Sequence, residues 1–131
     1  MALATVAALL ITPIAVAWAP GGSVFRVNVA YDGGLANGET NMGIAVSADG
    51  RYVAFASGAS NILEGDTNGK WDVFWRDMVT QETKLVSVAT DGGFAAQGAT
   101  NHVAMTPDGR YVVFDSQSGD LVADDTNDCW D

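Results

Sequence analysis

The chain has 131 residues, of which 48% are hydrophobic and 17% charged, enough to bury the core of about one ordinary domain and too apolar for a disordered tail. Its 6 basic and 16 acidic residues leave a formal net charge of -10, the wrong sign for a surface that must neutralise phosphates, so no nucleic-acid partner is expected and cations are the plausible ones. A single cysteine, Cys129, excludes an internal disulfide, and with one histidine, His102, there is no His/Cys zinc site at any recognisable spacing.

The first nineteen residues, MALATVAALLITPIAVAWA, carry no charge and end in Ala17-Trp18-Ala19, a small-x-small pattern of the kind that signal peptidase cuts. They read as a cleaved export signal, helical if retained, and the protein is then secreted, periplasmic or exposed at a bacterial-type cell surface. The rival reading is an uncleaved membrane anchor, but Pro13 interrupts the run, which is at the short end of the roughly 20 residues that span a bilayer.

Sliding the sequence by 59 residues aligns NVAYDGGLA (28–36) with SVATDGGFA (87–95), SADGRYVAF (47–55) with TPDGRYVVF (106–114), and DTNGKWD (66–72) with DTNDCWD (125–131). Gapless comparison of 23–72 with 82–131 gives 20 identities in 50 positions. The chain therefore contains a tandem repeat, over about 28–86 and 87–131, the second copy being incomplete.

Each repeat is punctuated like a four-stranded antiparallel meander. In the first, Ile44–Ser47 reads as a short apolar strand closed by the Asp49-Gly50 turn, where glycine supplies the positive φ of a tight hairpin. Arg51–Ser57 reads as a central strand, apolar on both faces, Asp72–Met78 as a third, and Thr83–Ala89, with Val86 and Val88 alternating against Ser87, as a fourth. No segment after residue 19 shows a 3.6-residue period, so almost no helix is expected. Arg26–Ala30 matches the end of a fourth strand and has no repeat of its own.

The expected fold class is all-β, with propeller-type four-stranded antiparallel blades, one complete and one partial, over residues 20–131. Closed propellers need about four to eight blades. The expectation is thus the front portion of a longer protein, or else a short protein that completes its ring by self-association.

Residues SADGRYVAF and TPDGRYVVF, the complete copy continuing into VFWRD, resemble the repeat of TolB-like β-propellers, a WD-repeat-like family of secreted and periplasmic bacterial proteins. The resemblance covers most of 24–131. It implies a rigid platform for binding other molecules, and its 59-residue period exceeds the usual blade, the extra length lying in the DTNG and DGG loops.

Those loops are where chemistry is expected. In Glu64-Gly65-Asp66-Thr67-Asn68-Gly69-Lys70-Trp71-Asp72, alternate positions offer oxygen ligands for Ca2+: the side chains of Glu64, Asp66, Asn68 and Asp72, and the Lys70 carbonyl. The second copy keeps Asp125, Asn127 and Asp131 but has Ala123 and Asp128 in place of Glu64 and Gly69. Trp75 stands where a calcium hand would need an acid, which excludes that motif. The structural alternative is that Asp66 and Asn68 make Asx turns with their own backbone.

Trp71 and Trp130 hold equivalent places, suited to stacking on a sugar or, more ordinarily, to packing between blades. The Asp32–Gly34 and Asp91–Gly93 stretches read as plain turns, and His102 as a polar loop residue. No nucleophile–base–acid set or metal-hydrolase motif is present, so no enzyme is expected. The favoured function is a non-enzymatic binding and scaffold module for a protein or glycan at the cell surface, with calcium-stabilised loops. The propeller portion of a larger secreted hydrolase and a purely structural repeat are the alternatives.

Overall fold

The computed structural model describes residues 16–19, 23–126 and 129–131. Every regular element among them is a β-strand: β1 (Val16–Ala19), β2 (Ser23–Arg26), β3 (Thr40–Val46), β4 (Tyr52–Ser57), β5 (Asp72–Asp77), β6 (Thr83–Leu85), β7 (Ala99–Met105) and β8 (Val112–Ser116). They form three antiparallel sheets, a β1-β2 ribbon, a four-stranded β3-β4-β5-β6 meander and a β7-β8 ribbon. The all-β expectation holds, with one four-stranded antiparallel sheet and two-stranded ones beside it.

Identical chemistry builds the two hairpins. The Ser47 hydroxyl donates to Asp49 Oδ1 (2.6 Å) and accepts the Tyr52 N–H (2.9 Å), while Asp49 Oδ1 accepts the Arg51 N–H (3.0 Å). Thr106, Asp108, Arg110 and Tyr111 repeat the pattern at 2.5, 3.1 and 3.1 Å. Gly50 and Gly109 both take φ +74°, the left-handed conformation that glycine adopts without a Cβ clash. A hydroxyl at the first position and an aspartate at the third thus close the turn, which is why S/T-x-D-G-R-Y recurs. The strand pairing follows at the same offset: Ile44↔Phe55 and Val46↔Val53 become Val103↔Phe114 and Met105↔Val112, each after a register shift in the first strand.

Two cores flank the complete sheet. Val53, Phe55 and Phe74 join Val27, Ala59 and Ile62 on one face, with the Phe55 and Phe74 rings 5.6 Å apart. On the other face Ala56 and Val73 meet Ala99 of the second repeat, with Trp71, Val103, Val112 and Phe114 packed around them. Small side chains at 54, 56 and 99 let the second sheet approach closely, so β7 lies against β3, β4 and β5. Backbone bonds reinforce the contact: Ala99 N–H to Trp71 O (2.7 Å) and Ala48 N–H to Pro107 O (2.8 Å).

Several sequence expectations need correction. The first strand is longer and starts earlier than Ile44, because a register shift between Thr40 and Ile44 lets the polar Thr40 pair with Ser57. The fourth strand stops at Leu85 instead of Ala89, since the Val86 and Ser87 N–H groups both turn onto Val73 O and Val88 bridges to Phe94. Arg26–Ala30 is not an orphan strand: Arg26 ends β2, which pairs with β1, and Val29 bridges to Leu35. Of the N-terminal segment expected to be helical, residues 16–19 are strand; residues 1–15 lie outside the described residues.

Phe55 is fully buried in the first of these cores, whereas its counterpart Phe114 is only partly covered. Phe55→Ala should therefore cost about 3–5 kcal/mol, read from the urea midpoint, and Phe114→Ala distinctly less. Equal losses would mean that the two repeats are packed alike.

Candidate functional site

The 65–72 loop leaves the third-strand side of the complete sheet and reaches the second repeat. Gly65 and Gly69 both have positive φ (+87° and +63°), which bends the loop so that its polar side chains meet its own backbone. Asp66 accepts the Asn68 N–H, and Asn68 Oδ1 accepts the Lys70 N–H (2.8 Å). These are the Asx turns of the structural alternative.

The Asn68 amide nitrogen donates twice, to Asp72 Oδ2 (3.0 Å) and to Ala95 O (3.0 Å) in the linker to the second repeat. Asp72 has no solvent exposure, and its other oxygen accepts the Ser87 hydroxyl (3.0 Å). Ser87 in turn accepts the Val73 N–H (3.1 Å). Asp66 is 8% exposed, and its Oδ1 is buried with no hydrogen-bond partner among the described residues.

Burial pushes the Asp72 carboxyl up to about 6, against the bonds from Asn68 and Ser87 that favour its charge, and the nearby Asp66 charge pushes the same way. Burial likewise raises Asp66.

The expected ligand positions thus divide. Asp66, Asn68 and Asp72 come together; Glu64 and Lys70 are exposed, Lys70 engaged through its N–H. In the second copy Asp125 is half-buried and Asp131 exchanges backbone hydrogen bonds with Ser116 at 3.0 Å each way, while Asn127 lies outside the described residues. No group of three His, Cys, Asp or Glu side chains converges among the described residues. Trp71 packs in the inter-sheet core, its ring about 3.2 Å from where a Gly58 Cβ would sit, so it is a wedge between sheets and not an open stacking platform. Trp130, by contrast, is 54% exposed. Both DGG stretches are turns closed by their own aspartates, Asp32 to Gly34 N–H and Asp91 to Gly93 N–H, each 2.8 Å. His102 is exposed and pairs with Asp115 through Nδ1 (2.9 Å).

A second feature was not anticipated from the sequence. Between the two repeats lies a groove of about 480 Å³ lined by Tyr52, Trp75, Lys84, Asp108, Arg110 and Val112, among others. Tyr52 stacks on Trp75 (centroids 4.9 Å, 23° between planes), Lys84 Nζ sits 5.5 Å from the Trp75 ring, and Trp75 Nε1–H donates to Gly109 O (3.3 Å). Trp75 and Lys84 are cross-strand partners, a register that only the β5-β6 pairing reveals; the signal available in the sequence was the alternation that sends Val73 and Trp75 to one face.

Comparison with models of known protein families, with curated proteins and with solved structures finds no match to this chain.

A carboxyl whose pKa is raised by folding favours the folded state below its unfolded value of 3.8, and that contribution is lost as pH rises through about 6. In EDTA-containing buffer the native protein should therefore lose melting temperature relative to Asp72→Asn between about pH 4.5 and 7. A difference that stays constant over this window would show that Asp72 does not titrate there.

Proposed function

We propose that the chain is part of a β-propeller of the TolB-like, WD-repeat-like kind, acting outside the cytoplasm as a non-enzymatic binding and scaffold module for a cell-surface protein or glycan. The observation that carries this reading is the packing of β7 beside β3 and across the small-residue face of β4 and β5. A meander and a hairpin whose first two strands pair in matching register, packed together with their first strands adjacent, are what successive blades around an axis require.

The inter-sheet groove is the surface assigned to the partner. It combines an aromatic floor, Tyr52 on Trp75, with two cationic side chains, Lys84 and Arg110, and its volume lies in the range of ordinary ligand sites. Arg51, the counterpart of Arg110, is committed to Asp77 through bonds of 2.7 to 3.2 Å; Arg110 faces the groove and stacks only on its neighbour Tyr111. An acidic group presented on a sugar or peptide fits this lining. Export, through the 1–19 leader, supplies the location.

Binding to an array of surface glycans and cell-wall polymers is the test. At least one glycan or polymer with sparse acidic groups should bind, with affinity lowered about tenfold or more in Lys84→Glu/Arg110→Glu and no cleavage product formed. If nothing binds, or the double variant binds as the native protein does, the chain is a structural spacer and the reading is wrong.

A further inference from the structure

We propose that the 65–72 loop holds a Ca2+ ion between the buried carboxylates of Asp66 and Asp72, and that this ion stiffens the joint between the two repeat sheets. This does not depend on the propeller reading or on the groove, since it concerns only a loop and the sheet it leaves.

The observation that points to a ligand is Asp66 Oδ1. It is an acceptor of a carboxylate that is 92% buried, as 8% remains exposed, and no donor among the described residues answers it. A buried charged oxygen left in this state is costly, and nearby stands Asp72, fully buried, whose two oxygens accept only from neutral groups, the Asn68 amide and the Ser87 hydroxyl. Two desolvated carboxylates, both bonded to Asn68, call for positive charge. The six basic side chains of the chain do not supply it: Arg51 is held by Asp77, Arg76 by Thr83, Lys84 lies near Glu82, Arg110 lines the groove, Lys70 is exposed, and Arg26 belongs to the β1-β2 ribbon.

The donor set is all oxygen, which favours a hard cation over zinc, whose usual sites include His nitrogen or Cys sulfur. The structure also narrows the ligand set read from the sequence. Asn68 is already engaged, its amide oxygen accepting the Lys70 N–H and its nitrogen donating to Asp72 and Ala95 O, so the carboxylates of Asp66 and Asp72 carry the site without it. Exposed Glu64 is not required. With two carboxylates and the rest of the shell from loop carbonyls and water, Ca2+, which accepts irregular shells of six to eight oxygens, is favoured over Mg2+. The dissociation constant should fall at about 0.1–1 mM, as for extracellular modules.

Because Asn68 and Asp72 share a hydrogen bond and Asn68 reaches Ala95, an ion on Asp72 is felt at the joint. The full chain, freed of metal, should melt about 5 °C higher in 10 mM CaCl2 than in EDTA. Terbium, used in place of Ca2+, should luminesce when excited through Trp71, next to Asp72, and Ca2+ should quench the signal by displacement. Asp66→Asn should lose both effects, Asp49→Asn, a turn carboxylate elsewhere, neither, and Trp71→Phe the luminescence but not the melting shift. The proposal is overturned if the native protein melts identically in both buffers, if Asp66→Asn keeps the shift, or if Asp125→Asn abolishes the luminescence while Asp66→Asn does not. Failure of glycan binding would leave all of these outcomes unchanged.

Discussion

A carboxylate with no contact with solvent has to be answered from within the protein, and the position of Asp72 decides how much else is fixed. Its two oxygens draw in Ser87, from the chain just after β6, and Asn68, from the loop before β5. Each of those partners is then committed a second time, Ser87 to the Val73 N–H and Asn68 to the Ala95 carbonyl. One buried charge therefore anchors the outer end of the complete sheet, the conformation of the 65–72 loop and the linker into the second repeat. Ion burial costs several kcal/mol unless hydrogen bonds and nearby charge offset it. The loop motif is accordingly part of the architecture, and Gly98, where a Cβ would come within 2.8 Å of Trp71 O, shows how tightly the linker is drawn against it.

The repeat, its turns and the meander order were legible because each rests on local chemistry. Ser47-x-Asp49-Gly50 closes its hairpin with atoms no more than five residues apart, so the motif and the structure are nearly the same statement. Strand ends were less legible. Thr40 joins β3 through a shifted register, and Val86 leaves β6 because two N–H groups compete for one carbonyl; neither event leaves a mark in apolar alternation. Residues 16–19 read as part of an apolar leader, yet their backbone pairs with Ser23–Arg26, a tertiary choice that hydropathy does not encode. In the loop, oxygen-bearing residues at alternate positions were visible, but whether Asn68 presents its oxygen or its nitrogen to Asp72 depends on Ala95 and Lys70, contacts that only the folded chain supplies.

The two repeats show what a motif does and does not specify. Equivalent positions take the same turn bonds and the same register, and still differ in burial: Ala54 is fully buried where Val113 is 68% exposed, and Tyr52 lies beneath the Gly109 turn where Tyr111 is 62% exposed. The local sequence sets backbone and pairing, and neighbours supply burial. The same logic separates Arg51, gripping Asp77 of the strand beside it, from Arg110, which turns toward the groove.

That division also bears on which partners the groove can accept. A net charge of -10 repels anions at a distance, but in physiological salt this field decays over about 8 Å. Within the groove, Lys84 and Arg110 act at contact range beside Trp75, Tyr52 and Val112. An extended polyanion would have to lay many charges along an acidic surface, and the repulsion would grow with its length. A single acidic group on an otherwise neutral, stackable ligand meets two local cations, the aromatic floor and one carboxylate, Asp108, which is held in its own turn by Thr106 and the Arg110 N–H. The charge distribution therefore selects for sparse acidity in the partner, and it does so by geometry, because the two cations are brought together only when β6 and the second-repeat hairpin flank the same space.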